Sequence, residues 1–218
     1  DSNPNSYDPL DVLADENATT EQKTAALGAQ SKALQVSNVI AQSSAAIKSG
    51  SGDATRDSAA KAVTKAIAAK VTETAEADEE IDLTDTTTLT SIIETAATEA
   101  GETEVASQSS KLASIASTSN NSAKNATTID ALAKVAVVSQ GAAVTDIEAA
   151  VTGGEDLSAV VESYSEENLA VAVEAAEAGT IFQTEEPETG DGADSGDGAD
   201  SGDGADAGGG SGGGSGGG

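Results

Sequence analysis

Six aspartates, Asp191, Asp194, Asp197, Asp200, Asp203 and Asp206, recur at every third position of GDGADSGDGADSGDGAD. Calcium takes about six to eight oxygen ligands, so a carboxylate repeat raises the question of that ion first. The spacing departs from the known loops. An EF-hand places ligands at alternate positions and closes with a bidentate Glu at the twelfth, and the secreted β-roll repeats a Gly-rich nonapeptide with an apolar anchor. The stretch reads as a solvated acidic linker, with weak, diffuse calcium binding as the alternative. The GGGSGGGSGGG that follows is flexible by composition, whether natural or engineered. Two carboxylate clusters, Asp78–Glu79–Glu80 and Glu185–Glu186, have the residue types of a glycosidase acid and base. They lack neighbouring aromatics to hold a sugar or to raise a pKa by burial, and read as solvated faces. Asn17, Asn120 and Asn125 match the glycosylation acceptor pattern at a rate that chance explains in a chain so rich in Asn, Ser and Thr. Tyr7 and Tyr164 read as half-buried packing residues.

Composition narrows the chemistry further. The chain contains no Cys, His, Met or Trp, which removes thiolate and imidazole from the available nucleophiles, bases and metal ligands. Disulfide scaffolds, Cys/His zinc sites and Ser-His-Asp or Cys-His catalysis go with them. No enzyme site and no cofactor are expected. With no Met, residue 1 is not expected to be a translation start, and the chain reads as a processed or excised piece. Thirty-eight acids stand against 10 bases, for a net charge of −28; residues 1–134 hold 20 acids and all 10 bases, residues 135–218 hold 18 acids and none. Nucleic acid is excluded as a partner, because phosphate binding draws on clustered Lys and Arg. Anionic membrane surfaces are disfavoured by the same charge, and no apolar run approaches the roughly 18 residues of a spanning helix. Packing so many carboxylates together is expected to raise their pKa values on average and to make stability increase with salt.

The elements read as helices throughout, with no alternating strand pattern. Asp8 and Pro9 start a short helix to Ala14. A long one follows from the Asn17–Thr20 region to Ser49, with Leu27, Leu34, Val36, Ile40 and Ile47 as its buried side. Another begins at Asp53 and steps through Ala59, Val63, Ala66, Ile67, Lys70 and Val71, leaving Lys61 and Lys65 outside. Residues 72–82 read as an acidic surface loop. Thr84 or Asp85 caps a helix carrying Leu89, Ile92, Ile93, Ala96 and Ala97, stopped by Gly101. Val105–Ser117 is a weaker helix ending near Ser119, since STSNNSAKN favours turns.

The chain is expected to be organised around Thr127–Gly153. Ile129, Leu132, Ala133, Val135, Ala136, Ala143, Val144, Ile147, Ala150 and Val151 recur there at spacings of three and four, and Gly141 is a kink or a tight crossing point. A short helix at Asp156–Glu162 and a last one capped by Ser165, with Leu169, Val171, Val173 and Ala176, complete the set; Ile181 and Phe182 fold back over the helix ends. Leu, Ile, Val and Phe stand near the roughly 20% level below which a highly charged chain stays disordered, so the core is thin. The reading is all-α: an irregular bundle of about seven helices over residues 8–182, a linker at 1–7, and a disordered Asp/Gly/Ser-rich tail at 183–218.

At YDPL (Tyr7–Leu10), LQVSNVIAQ (Leu34–Gln42), IDLTDTTTLTSII (Ile81–Ile93), ATTIDALAKVAVVSQGAAVTDIEAA (Ala126–Ala150) and LAVAVEAAEAGTI (Leu169–Ile181) the chain resembles Ala-rich helical segments of long, acidic, modular surface or secreted proteins of bacteria, many of them marine. The resemblance implies a non-enzymatic, extracellular or cell-surface spacer or adhesin-like module, whose partners are other domains of the parent protein or cell-surface components. An upstream part of the usual pattern is expected to be missing. A calcium-dependent adhesion or matrix protein, binding the ion through Asp191 to Asp206, is the alternative.

Overall fold

Thr19 starts the longest helix by a reciprocal arrangement: its Oγ1 accepts from Gln22 N, and Gln22 Oε1 accepts from Thr19 N at 2.8 Å, the capping box that satisfies two orphan donors at once. The structure, a computed structural model, describes residues 8–51 and 53–176. In chain order the helices are α1 (Pro9–Ala14), α2 (Thr20–Gly50), α3 (Arg56–Glu76), α4 (Thr86–Glu99), α5 (Thr103–Ser107), α6 (Ser109–Asn125), α7 (Ile129–Ala136), a π-helical turn (Val137–Ala142), α8 (Ala143–Thr152), α9 (Ser158–Ser163) and α10 (Glu166–Ala175). The fold is all-α. Helix α7, the π turn and α8 form one continuous rod, so the described residues make nine helical rods against the about seven expected.

Helix α2, not the Thr127–Gly153 stretch, is the element on which the others converge: α1, α3, α4, α5, α6, α7, the π turn and α8 all pack against it. Helix α4 closes a ring by packing on α3 and α6, while α9 and α10 lie against α6. The main core runs through Val39 and Ile47 of α2, Val63 of α3, Leu89, Ile92 and Ile93 of α4, Leu112 and Ile115 of α6, Ile147 of α8, Leu157 and Leu169. A smaller cluster, Ala123, Leu132 and Val135, gathers Leu27, Leu34, Ala126 and Val173 around it.

Several expectations need correcting. The buried face of α2 is Ala26, Ser31, Gln35, Asn38, Val39 and Gln42 through Ile47, with Leu27, Leu34, Val36 and Ile40 only half-buried. Helix α3 starts at the Thr55 cap rather than at Asp53 and runs into the predicted loop as far as Glu76. It ends where Asp78 takes φ +56°, a left-handed conformation that Asp tolerates better than most residues, and Glu79 N bonds back to Thr74 O at 2.8 Å. Val71 is exposed there, as is Val171 on α10.

Helix α6 continues through the Ser/Asn run to Asn125, and the weak helix before it is a separate turn, α5. The hydroxyls expected to break α6 are occupied instead: Ser114 and Thr118 donate back to the carbonyls four residues earlier, and Ser117 Oγ donates to Thr84 O at 2.6 Å. On the central stretch, Leu132, Val135, Ala143, Val144, Ile147 and Ala150 are buried, while Ile129 is 39% exposed and Ala133, Ala136 and Val151 are half-buried. Asp85 caps α4 and Gly101 ends it at φ +82°. The 1–7 linker, Ile181 and Phe182, and the 183–218 tail lie outside the described residues.

Candidate functional site: a buried polar layer

Ser31, Gln35, Asn38 and Gln42 follow one another on α2 at spacings of four, three and four, which puts them on one face of the helix. That face is turned inward. Asn38 is 0% and Gln42 1% exposed, as are Ser119 and Asn120 of α6 and Ser139 of the π turn at 0%. All three helices therefore bring their polar residues to one level. Leu27 and Leu34, Ala123, and Leu132 with Val135 lie on one side of it; Ala46 and Ile47, Ala116, and Ala143 with Ile147 lie on the other.

A buried amide without partners costs about 1–3 kcal/mol, and here the partners are present. Asn38 Nδ2 donates to Asn120 Oδ1 at 3.2 Å, and Asn38 Oδ1 accepts from Ser139 Oγ at 2.8 Å and from Gln140 Nε2 at 3.1 Å. Asn120 Nδ2 donates to Leu83 O at 2.7 Å, tying the layer to the segment that leads into α4. Gln42 Nε2 donates to Ser119 Oγ and to Ser139 O at 3.0 Å; further down α2, Ser31 Oγ donates to Ala123 O at 2.8 Å. Gln42 Oε1 and the Ser43 hydroxyl have no partner.

The π turn is what presents Ser139. Its wider winding disturbs the regular i→i−4 ladder, a local irregularity that neighbouring side chains must accommodate, and Ser139 and Gln140 turn toward Asn38 there. A Cβ on Gly141 would touch nothing, so of the two readings, kink or tight crossing point, the second does not hold; Gly141 lies inside the π turn.

Chemically the layer consists of amides and hydroxyls. It can fix register and orientation; the Ser139 hydroxyl is held by Asn38 Oδ1 and Val135 O and faces no base that would activate it. Beside the layer, a groove of about 640 Å³ opens between the first half of α2, the Glu80–Leu83 segment and the end of α6. Its sides carry Leu27, Val36, Ile81, Leu83 and Ala126, its rim Lys32, Lys124, Glu80 and Asp82.

The structure disperses the residues singled out in the sequence. Asp78, Glu79 and Glu80 are exposed, with Glu80 paired to Lys32; Glu185, Glu186, Tyr7 and the six aspartates Asp191 to Asp206 lie outside the described residues. Among the described residues no group of three or more acidic, His or Cys side chains could hold a metal ion, and no helix is long and apolar enough to cross a membrane. Asn17 and Asn125 are exposed, but Asn120 is sealed in the polar layer, which removes it as a glycosylation acceptor. Lys61 and Lys65 are outside as expected.

Electrostatics are local. Arg56 reaches Glu148 at 2.6 Å and joins α3 to α8, Lys65 joins α3 to Glu99 of α4, and Lys111 joins α6 to Asp156. The expected general rise of carboxyl pKa values is reversed at four positions. The Lys111 ammonium, with Ser158, lowers Asp156 to about 2. Thr84 lowers Asp82, and the amide of Thr88 lowers the α4 cap Asp85. Glu21 is lowered by its own backbone amide and then by Thr19. Groups with depressed folded pKa contribute stability above their unfolded value, near 4, and lose it as pH falls through the folded value. Melting temperature is therefore expected to drop between pH 4 and pH 2, and Asp156→Asn should make that drop shallower; an identical acid limb in both proteins would remove the Lys111–Asp156 pair from the account.

Tyr164 is buried rather than half-buried and donates to Asp146 Oδ2 at 2.7 Å, pinning α9 to α8. Burial first, then the Asp146 carboxylate, push its pKa up. Nothing in its sequence surroundings indicates that pairing. Tyr164→Phe should cost about 1.5 kcal/mol, the low end for a bond to a charged group, because exposed Asp146 regains water; urea unfolding measures it.

Compared with protein-family models, curated proteins and solved structures, the chain matches none.

Proposed function

We propose that this protein is a non-enzymatic helical structural or interaction module, a spacer between other parts of a secreted or cell-surface bacterial protein. One observation carries the reading: the most elaborate polar constellation among the described residues is spent on holding α2, α6 and the α7–α8 rod in register, and it consists of groups that neither ionise nor activate one another near neutral pH. Buried polar layers of this sort set register at some cost in stability. The acidic surface supports an exposed, water-facing role, since strong net charge keeps a protein soluble and apart from other surfaces. The bacterial and extracellular setting rests on the resemblance of its Ala-rich helices.

The test is thermal melting by circular dichroism. Raising sodium chloride from about 0.01 M to 1 M shortens the screening length from roughly 30 Å to 3 Å, so the melting temperature should climb as carboxylate repulsion is relieved. Millimolar calcium should raise it no further than an ionic-strength-matched control. A calcium-specific increase overturns the spacer reading in favour of a calcium-dependent adhesion module that uses the Asp191–Asp206 repeat.

A further inference from the structure

Leu132 and Asp146 stand fourteen residues apart on the rod formed by α7, the π turn and α8, and so do Val135 and Ala149. An α-helix turns by about 100° per residue, so an unbroken one would put the members of each pair within about 40° of one another, on the same face. Their burial is opposite. Leu132 and Val135 are buried, whereas Asp146 and Ala149 are exposed. The reverse mismatch accompanies it: Val135 and Ile147, twelve residues apart, would point about 120° away from each other in a plain helix, yet both are buried. Counting one residue fewer between α7 and α8 removes both mismatches. Val135 and Ile147 then fall within about 20° of each other, and Asp146 lies about 140° from Leu132. All the buried residues from Leu132 to Ala150 share one arc of about 140°, where a plain helix would scatter them over about 240°.

The residue that drops out of the count sits in the π turn, Val137–Ala142. Hydrogen bonds there close over five residues instead of four, that from Ala143 N to Val138 O among them, so the turn takes up one residue more than an α turn would. Gly141 and Ala142 are both exposed, and a Cβ on Gly141 would meet no other atom; the extra length bulges away from the core. The bulge also has a use on its inner side. Neighbouring side chains of an α-helix diverge by about 100°, but Ser139 Oγ and Gln140 Nε2 donate to the same oxygen, Asn38 Oδ1, at 2.8 and 3.1 Å. A wider turn spreads its residues over more positions, so consecutive side chains diverge less and both reach one acceptor.

We infer that the rod is a single α-helix carrying one surplus residue, and that the π turn is the conformational device that absorbs it. The turn keeps the buried faces of α7 and α8 in line and aims Gln140, beside Ser139, at Asn38. One helix thereby serves two cores: Leu132 and Val135 complete the smaller cluster, Ile147 and Ala150 the main one. Core alignment depends on the number of residues in the turn and not on the identity of Gly141. Removing the surplus residue turns the segment into plain α-helix with both faces in place, and what is lost is the reach of Gln140.

The experiment is a length series in the full chain, read by circular-dichroism melting and by NMR of the Leu and Ile methyls and the Gln side-chain amides. Gly141→Ala keeps the count and should melt at or above the native temperature, since alanine favours helix over glycine. Deletion of Gly141 should leave cooperative melting within about 4 °C of native, the shift expected of one hydrogen bond in a chain of this size. In that variant the Leu132 and Ile147 methyls stay in place and the Gln140 side-chain amide moves toward its free position. Deleting Gln140 and Gly141 together, or inserting an alanine between Gly141 and Ala142, turns α8 by about 100° in opposite senses and should abolish the cooperative transition. A single deletion as damaging as the double one overturns the inference, because no residue is then surplus. A double deletion or an insertion that melts like the native chain overturns it too, because the winding of the rod would not matter. So does a Gln140 amide that stays where it was once Gly141 is removed, because the bulge would not be what aims it.

Discussion

Ile147→Asp is expected to unfold the domain or to remove most of its stability, whereas Glu148→Ala, one residue further along the same helix, should change it by less than about 1 kcal/mol. Ile147 is 0% exposed in the main core. Deleting its aliphatic mass alone costs about 2–5 kcal/mol, and the new carboxylate is either desolvated without a partner or forced to protonate. Against a total of about 5–15 kcal/mol for a domain, that sum is close to complete. Glu148 points the other way and pairs with Arg56 across 2.6 Å, with both side chains substantially solvent-exposed; such pairs contribute about 0–1 kcal/mol. Circular dichroism at 222 nm and thermal melting distinguish the two variants. Equal helicity and equal melting would show that α8 is not packed on α2 in the manner described.

The polar layer yields the second large effect, and an ordering within it. Asn38→Leu strands Asn120 Oδ1, at a site with no access to water, and loses the bonds from Ser139 and Gln140. Ser139 retains Val135 O as an acceptor, and Gln140 is partly exposed, so the stranded Asn120 oxygen and the lost bonds together set a cost of about 3 kcal/mol. Gln42→Leu also loses two hydrogen bonds, but it removes a side chain whose own Oε1 has no partner, and should cost under about 1.5 kcal/mol. Urea unfolding of both variants decides the order. A Gln42 variant as damaging as the Asn38 variant would mean that the orphaned oxygen is satisfied by an ordered water, which polar cavities of sufficient size do hold.

Helix class and most helix limits were legible in the sequence because they depend on local chemistry: Asp8 and Pro9, the Asn17–Thr20 region, Asp85 and Gly101 all act within a few residues of themselves. The polar layer was not, because an apolar pattern was the signal sought on α2. Leu27, Leu34, Val36 and Ile40 outrank Ser31, Gln35, Asn38 and Gln42 on any hydrophobicity scale, yet the second set carries the heptad spacing and is the buried one. The same spacing, read for amides and hydroxyls, would have found it. STSNNSAKN failed for a related reason: its Ser and Asn side chains prefer turns in isolation, but Thr118 and Asn121 bond back to carbonyls four residues earlier, while Ser117, Ser119 and Asn120 meet Thr84, α2 and Leu83, distant in sequence. Tyr164 and Asp146 lie eighteen residues apart on separate helices, with no pattern connecting them.

The layer also bears on how the protein is made. Asn38 and Gln42 leave the ribosome about a hundred residues before Ser139 and Gln140, an interval of about 5–20 s at ordinary elongation rates. For most of that time, until Ser119 and Asn120 of α6 follow about eighty residues behind, these amides have no side-chain partner. A leucine stripe in place of Ser31, Gln35, Asn38 and Gln42 would be a sticky surface awaiting its mate; the amides and hydroxyl are at ease in water until α6 and the π turn arrive, and leave neighbouring nascent chains less apolar surface to adhere to.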